Sequence, residues 1–501
     1  MGREVSHFDS PNFLSRSVVL ILCRQQGDEL GFEESASHTA RQPLPPMGYC
    51  LRRTELSQNA AAIRLAVQRY CFPAINGPTK LKSDRRQLQN LCRGRKVLVR
   101  GPLGKERKQE MRPMSQIKQE SVAFKFKVVD ELSQLAELWP RTDRCGSSLH
   151  CYVFQCADFL EVWCDTIGRA RRVRTIFVGV FDDVGRPILL LPLGIERRRG
   201  VRVLGFLDGG VLNYNAPVVF EPVRTWERQS LDRLWSQLIA VLPPFDVAIF
   251  DKMPADICGV PNPIIGLASA PYDLSGYLVN ITRSWEEFAA TRLSYKRDSS
   301  AQRRRLAKFG QVVFTIAQTP VDRQRVLEAM MRQKSRRFIE TLGVDEFDSP
   351  GCRQYYISMV ERFPWPGPLL ISALEVDGKI LSTNWGLISN GRFVGIVMSY
   401  EGGEWMRFSP GRLLLEDLLK WNFTNRTSIF DFGIGNESYK FAYVDETLHC
   451  YQANIAVTAI GRTYLIGMKM RRLLKAAILR TTKKSGALQK AIRKAKTRYG
   501  L

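Results

Sequence analysis

Arg407, Ser409, Gly411 and Arg412 lie in one short segment, and their types suit the binding of an anion. Ser409 stands where an N-cap is expected and Pro410 at the first helical position, so the spacing predicts a helix that opens there and runs to about Trp421. The first-turn amides of such a helix lack intrahelical partners, and its dipole is positive at that end. Gly411 allows close approach to the backbone and Arg407 or Arg412 adds charge, which together is the chemistry of holding a pyrophosphate. The plainer alternative is a helix cap that binds nothing, and the surrounding order of elements has to decide between the two.

Other reactive residue types are poorly placed. His7 and His38 fall near the N-terminus, while His150 and His449 are isolated, so no catalytic triad is expected. The 11 cysteines form no C-x-x-C pair, which argues against structural zinc, and no metal site is expected. Their odd number, and the mixed-charge start before the apolar run Val18 to Cys23, point to a reducing cytoplasm. The longest apolar stretch, Pro187 to Ile195, falls short of the roughly 18 residues a membrane span needs, so a soluble protein or one peripheral to the inner face of a membrane is expected.

The 501 residues suggest two or three domains at about 150 residues each. The net charge of +25 is unevenly spread: residues 1–110 carry +9, residues 111–461 only +3, and residues 462–501 carry +13. A body so nearly neutral is unlike a nucleic-acid-binding fold, which concentrates cations on its folded surface. All 9 tryptophans also lie within 111–461. Four segments follow: a poorly ordered basic extension (1–110) in which only Leu56 to Tyr70 reads as a helix, two domains (111–284 and 285–461), and a basic tail (462–501).

Within the body the periodicity predicts one plan used twice. The first copy runs from a strand (Phe124 to Val129) through helical stretches at Glu131 to Trp139 and around Phe154 to Trp163. Strands follow at Thr175 to Phe181 and Ile188 to Ile195, then a loop at Asp208 to Asn215, a helix to Val241 and a strand at Val247 to Phe250. The second begins with a basic helical region (Trp285 to Phe309), a strand (Val312 to Ala317) and helices at Val321 to Leu342, whose cationic face includes Lys334, and at about Cys352 to Phe363. Strands Leu369 to Glu375, Ile380 to Ile388 and Phe393 to Tyr400 are joined by Asp377-Gly378 and Asn390-Gly391, the dipeptides that type I′ hairpins prefer. After the Ser409 helix come a strand (Ile429 to Phe432), the segment Gly433 to Tyr443 and a last strand near Tyr451 to Thr458. The fold class is α+β, with mixed, largely antiparallel sheets in tandem.

Helices, a three-stranded meander, a helix start suited to phosphate, then a strand and a short helix resemble the GNAT acyltransferase plan. The C-terminal half looks like the CelD/BcsL-type GNAT acetyltransferases of cellulose and exopolysaccharide synthesis, relatives of the FemABX transferases. The stretches that carry the resemblance are SYKRDSSAQRRRLAKFG (294–310), FSPGRLLLEDLLKW (408–421) and FDFGIGNESYKFAY (430–443). FQCADFLEVW (154–163) and LDGGVLNYNAP (207–217) agree in the first half. The resemblance implies tandem GNAT-like domains over 111–284 and 285–461, and an acyl-CoA, acetyl-CoA above all, as co-substrate. Only Gly411, out of register, is left of the Q/R-x-x-G-x-G/A pyrophosphate loop usual in GNAT enzymes, so coenzyme A binding is implied by the family rather than by that motif.

Acyl transfer needs a base for the attacking amine or hydroxyl and donors for the developing oxyanion. The resemblance places the donors on the backbone of Phe393 to Tyr400. Glu401 and Asp431, the acids close to that strand end and its neighbour, are the candidate bases, Tyr439 is a candidate acid for the leaving thiolate, and Lys440, in the family's Tyr-Lys position, is the first candidate to stabilise charge. Each also has a structural reading: Asp431 as a turn cap, Glu401 as a solvated loop residue, Tyr439 as core. The expected function is transfer of an acyl group from acyl-CoA to an amine or hydroxyl of a sugar, envelope or exopolysaccharide precursor. The alternatives are a FemABX-like transferase that uses aminoacyl-tRNA and a non-catalytic scaffold. In the acid-free tail, Ile466, Met470, Leu473, Leu474, Ala477 and Ile478 share one helical face. That face suits docking on the domains, on anionic lipid or on tRNA.

Overall fold

The computed structural model describes residues 124–484, apart from 144–148, 223–225, 294–295 and 426. The extension 1–110 and the basic run Lys490 to Arg498 lie outside the described residues. In the first half, β1 (Lys125–Val129), β2 (Arg174–Phe181), β3 (Pro187–Arg198) and β4 (Val201–Phe206) form an antiparallel run. β5 (Val247–Pro254) joins β4 in parallel through only Val203↔Val247 and Leu204↔Ala248. α1 (Ala157–Trp163) precedes β2 and α2 (Arg228–Val241) precedes β5. Glu131 to Trp139 does not form the expected helix but a 3-10 turn at Leu132–Leu135 that buries Leu135 alone.

Past β5 the chain crosses over. β6 (Gly276–Asn280) leads into α3 (Trp285–Arg292), where Ser284 and Glu287 make a capping box, and then into α4 (Lys296–Leu306). β7 (Val312–Ile316), α5 (Pro320–Leu342) and α6 (Cys352–Arg362) come before the meander β8 (Leu369–Val376), β9 (Lys379–Ser389) and β10 (Arg392–Tyr400). Both meander turns hold the left-handed pair that type I′ requires, Asp377 (φ 48°) with Gly378 (77°) and Asn390 (48°) with Gly391 (70°). α7 (Pro410–Thr424), β11 (Ile429–Ile434), β12 (Glu446–Leu448), β13 (Cys450–Ala456) and α8 (Ala459–Lys484) complete the described chain.

The two sheets have matching orders, β1-β2-β3-β4-β5-β13 and β7-β8-β9-β10-β11-β6-β12, each with one parallel pair at its centre. The strand that follows each parallel pair in space is supplied by the other half. β6, which precedes residue 284 in sequence, pairs with β11, and β13 returns from the chain's far end to pair with β5. Sheet membership thus crosses the 284/285 boundary twice. The main apolar core runs through both halves, with two smaller clusters packed around α7, and Phe159 of α1 stacks on Phe363 at the end of α6 with centroids 4.7 Å apart.

Where the chain leaves β13, Asp246 anchors it. The Asp246 carboxylate accepts from Arg202 (2.9 and 3.0 Å) and Thr458 Oγ1 (3.1 Å), and its carbonyl accepts from Val457 and Thr458 amides. The Arg202 bonds hold its carboxyl well below the usual carboxylate range. The depressed value means that this stabilisation is complete above the unfolded pKa near ~4 and fades as pH falls below it. Asp246→Asn is therefore expected to cost about 1–2 kcal/mol at neutral pH, a deficit that shrinks in acid and is read from denaturation midpoints across pH. Because of the exchanged strands, the described body is also expected to unfold in one cooperative calorimetric transition, and separated halves cut at 284/285 are expected not to fold alone.

Candidate active site

The parallel pair β10 and β11 stays together for only three residue pairs, Arg392↔Ile429, Phe393↔Phe430 and Val394↔Asp431. Beyond Val394 the two strands diverge, and among the described residues no strand pairs with that edge of Ile396 to Tyr400. The loop after β4 reaches into the opening, where Asn213 Nδ2 donates to the Gly395 carbonyl (3.2 Å). Gly433 (φ 70°) lines the other side, and a Cβ there would sit 2.5 Å from the Gly395 oxygen, so glycine is required by both conformation and space.

Asp431 and Lys440 both hold this turn. The Asp431 carboxylate is fully buried and accepts from Arg392 (2.6 and 3.1 Å), Tyr214 OH (2.9 Å) and the Gly433 amide (2.8 Å). Burial alone would lower the Arg392 pKa, but the Asp431 charge more than offsets it, so the guanidinium stays charged. Lys440, 3% exposed, donates to the carbonyls of Gly433 (3.3 Å) and Gly435 (3.2 Å) and pairs with Glu437 at 2.9 Å. Tyr439 is 45% exposed, and its hydroxyl is a weaker acid than usual, through desolvation first and the Glu437 charge second. It therefore keeps its proton at neutral pH.

Glu401 stands on the opposite wall, at the end of β10. Gln333 Nε2 reaches its carboxylate at 3.4 Å and Arg332 at 3.8 Å, while Arg336 bonds the Tyr400 carbonyl (2.8 Å). The structure gathers Asp431, Tyr439 and Lys440 about one turn and leaves Glu401 on the wall formed with α5. A residue that the sequence marked only as part of a cationic face, Lys334 on α5, belongs to this opening. Burial holds its ammonium below the usual lysine value, with Lys440 and Arg337 adding to the shift and Glu437 and Glu346 opposing it. No motif signals this, because the desolvation arises only when α5 is packed on β8, β9 and β10.

The expected anion segment lies at the start of α7. Ser409 occupies the N-cap position with Pro410 next, but its backbone is left-handed (φ 52°, ψ 49°) and its hydroxyl does not cap. N-cap residues normally adopt extended dihedrals that aim the hydroxyl at the first-turn amides. The departure leaves those amides without a side-chain cap. Gly411 packs against the Tyr400 ring, which a side chain there would meet at 3.2 Å from its Cβ.

Arg407 lines a cavity of about 340 Å³ with Gln302, Arg305, Lys308, Phe309 and Phe408. Three cations and no carboxylate face it. Gln302 is 7% exposed and its Oε1 lacks a protein donor, so a ligand hydroxyl or amine has an acceptor there. Arg412 points elsewhere and ties α7 to Asp298 of α4. Two further contacts reinforce that joint, Ser299 to Glu416 (2.6 Å) and Arg303 to Asp417 (2.7 Å). Among the described residues no cluster of His, Cys, Asp and Glu could hold a metal ion.

Residues 294–441 match the family model described as the acetyltransferase (GNAT) domain, and the fold is α+β with mixed sheets. No curated protein matches the sequence. Among solved structures, FemX is similar at 10% identity, over 64% of this chain and 95% of that one, with a TM-score of 0.42. The C-terminal domain of a lysylphosphatidylglycerol synthetase from Agrobacterium fabrum is 12% identical over 61% of this chain and 94% of its own, with a TM-score of 0.37. A tandem GNAT protein of the clavulanic acid pathway is 11% identical over 67% and 100%, with a TM-score of 0.34.

Asp431→Ala is expected to cost about 3–5 kcal/mol of stability, because Arg392 would remain buried without its partner. The paired change Arg392→Met with Asp431→Leu is expected to recover most of that loss in urea unfolding. A stable Asp431→Ala protein that lost only turnover would return this carboxylate to the chemistry.

Proposed function

We propose that the protein transfers an acyl group, acetyl in the simplest case, from acyl-CoA to an amine or hydroxyl of a sugar, envelope or exopolysaccharide precursor. The observation that supports it most is the opening between β10 and β11 beside an uncapped helix start and a three-cation cavity, all inside the segment that matches the GNAT domain. The acceptor class rests on the sequence likeness to CelD/BcsL-type enzymes.

In this reading Arg407, Arg305 and Lys308 hold the phosphates with the Gly411 amide of the first α7 turn, the Ser409 and Arg412 amides being already bonded to Met406 and Ser409 carbonyls, and Gln302 receives a donor of the nucleotide. Arg412 supports the site by fastening α7 to α4. The free edge of β10 offers amides to the thioester carbonyl as its oxygen gains charge. Glu401, whose carboxylate is partly open, takes the proton of the attacking nucleophile. The C–S bond then breaks and Tyr439, still protonated, gives its proton to the departing thiolate. Lys440 and Asp431 keep the β11 turn in place.

An aminoacyl-tRNA donor is the second reading, drawn from the basic character of α4. Arg303 of α4 is already paired with Asp417, and Arg305 lines the cavity together with Lys308 and Arg407, a charge cluster that suits a diphosphate and so favours a nucleotide thioester.

Acetyl-CoA at 100 times its dissociation constant is expected to add about 2.7 kcal/mol of stability in a thermal-shift assay. Arg407→Ala with Arg305→Ala is expected to weaken binding at least about tenfold, since each lost charge-assisted bond contributes about 1.5–3 kcal/mol. Glu401→Gln is expected to lower kcat about 10²-fold or more in steady-state kinetics with the fold intact. Absence of binding by any acyl-CoA, or activity destroyed by ribonuclease, would overturn the reading.

A further inference from the structure

α8 begins docked, and as far as Leu474 its outer face is an exposed amphipathic surface. Its first turns pack on β13 and β4 through Gly461, Tyr464, Leu465 and Met468, and Gly461 lies so close to the Asp246 carbonyl that no side chain fits. On the opposite face Ile466, Met470, Leu473 and Leu474 are 57–63% exposed. At 3.6 residues per turn those four fall within an arc of about 100°, with Arg462 and Lys469 along one margin and Arg471 along the other. From Arg462 to Lys484 the sequence has 8 basic residues and no acid. These four residues of the expected stripe thus face outward, and a different face of the helix holds it to the body.

We infer that α8 is an interfacial helix that seats the protein on an anionic lipid surface, its stripe entering the headgroup boundary and its flanking cations meeting lipid phosphates. Two properties select this occupant. A nucleic acid would answer the cations but offers no apolar phase for four large aliphatic side chains. A second copy would answer the stripe but would bring two acid-free helices together, with like charges opposed. An anionic bilayer surface answers both. Among the described residues no helix is long and apolar enough to cross a membrane, so the contact is one of lying on the surface. This inference stands independently of which acyl donor is used.

The test is co-sedimentation of the full chain with vesicles of phosphatidylcholine alone and of phosphatidylcholine containing about a quarter phosphatidylglycerol, where a few cations near the surface favour the anionic lipid at least about tenfold. Binding is expected to fall with salt. Met470→Glu with Leu473→Glu is expected to reduce partitioning onto the anionic vesicles at least about tenfold. The melting temperature should not change, since both side chains are already exposed. Arg471→Glu is expected to weaken binding while leaving the stripe intact. Equal partitioning onto both vesicles would overturn the inference, as would undiminished binding by the double variant. It would also be overturned by a monomer-dimer equilibrium or an RNA affinity that accounts for the stripe in place of lipid.

Discussion

The carboxylate of Asp431 is the point on which the architecture turns. It lies at zero exposure and takes hydrogen bonds from a strand of its own sheet, from the loop after β4 in the other half and from the turn that follows it. A charge so deeply buried is tolerable only when its partner and its remaining lone pairs are all satisfied. Arg392 provides the partner and is itself sandwiched near the rings of Tyr152 and Tyr214, 5.0 and 5.9 Å away. Satisfying one carboxylate therefore fixes where the two halves meet.

That meeting makes the opening. β10 and β11 separate after Val394 because the next residues of β11 are pulled into a turn by Asp431 from the amide side and by Lys440 from the carbonyl side. Asn213, from the first half, occupies the place where a further pair would have formed. The exchanged strands β6 and β13 lock this arrangement, since neither sheet is complete without chain from the other half. The site is accordingly shared: its walls come from the second half, and the loop that bounds it comes from the first.

Much of the fold was legible because it depends on local chemistry. Asp377-Gly378 and Asn390-Gly391 can adopt consecutive left-handed dihedrals at low cost, so the meander follows from the dipeptides. Ser284 with Glu287, and Thr319 before Pro320, announce helix starts in the same local way. The exchange of β6 and β13 was not legible, because an alternating strand states which face is apolar and not which edge it will join. Ser409 shows the same limit at one residue: its type and its proline neighbour predict a cap, and the strained left-handed backbone that denies the cap is imposed by the preceding 3-10 turn.

By itself the sequence determined the α+β class, the doubled plan, the position of the helix start near Arg407 and the segregation of charge into an almost neutral body and an acid-free tail. Those features depend on period, turn dipeptides and composition, all of which act over a few residues. Tertiary structure alone decided that Asp431 and Lys440 hold a turn, that Lys334 shares their surroundings, that Arg305 and Lys308 converge with Arg407, and that the apolar stripe of α8 faces away from the body. Each of these is a matter of burial or of charges brought together across distant elements. Local sequence carries no information on such quantities until the chain has closed on itself.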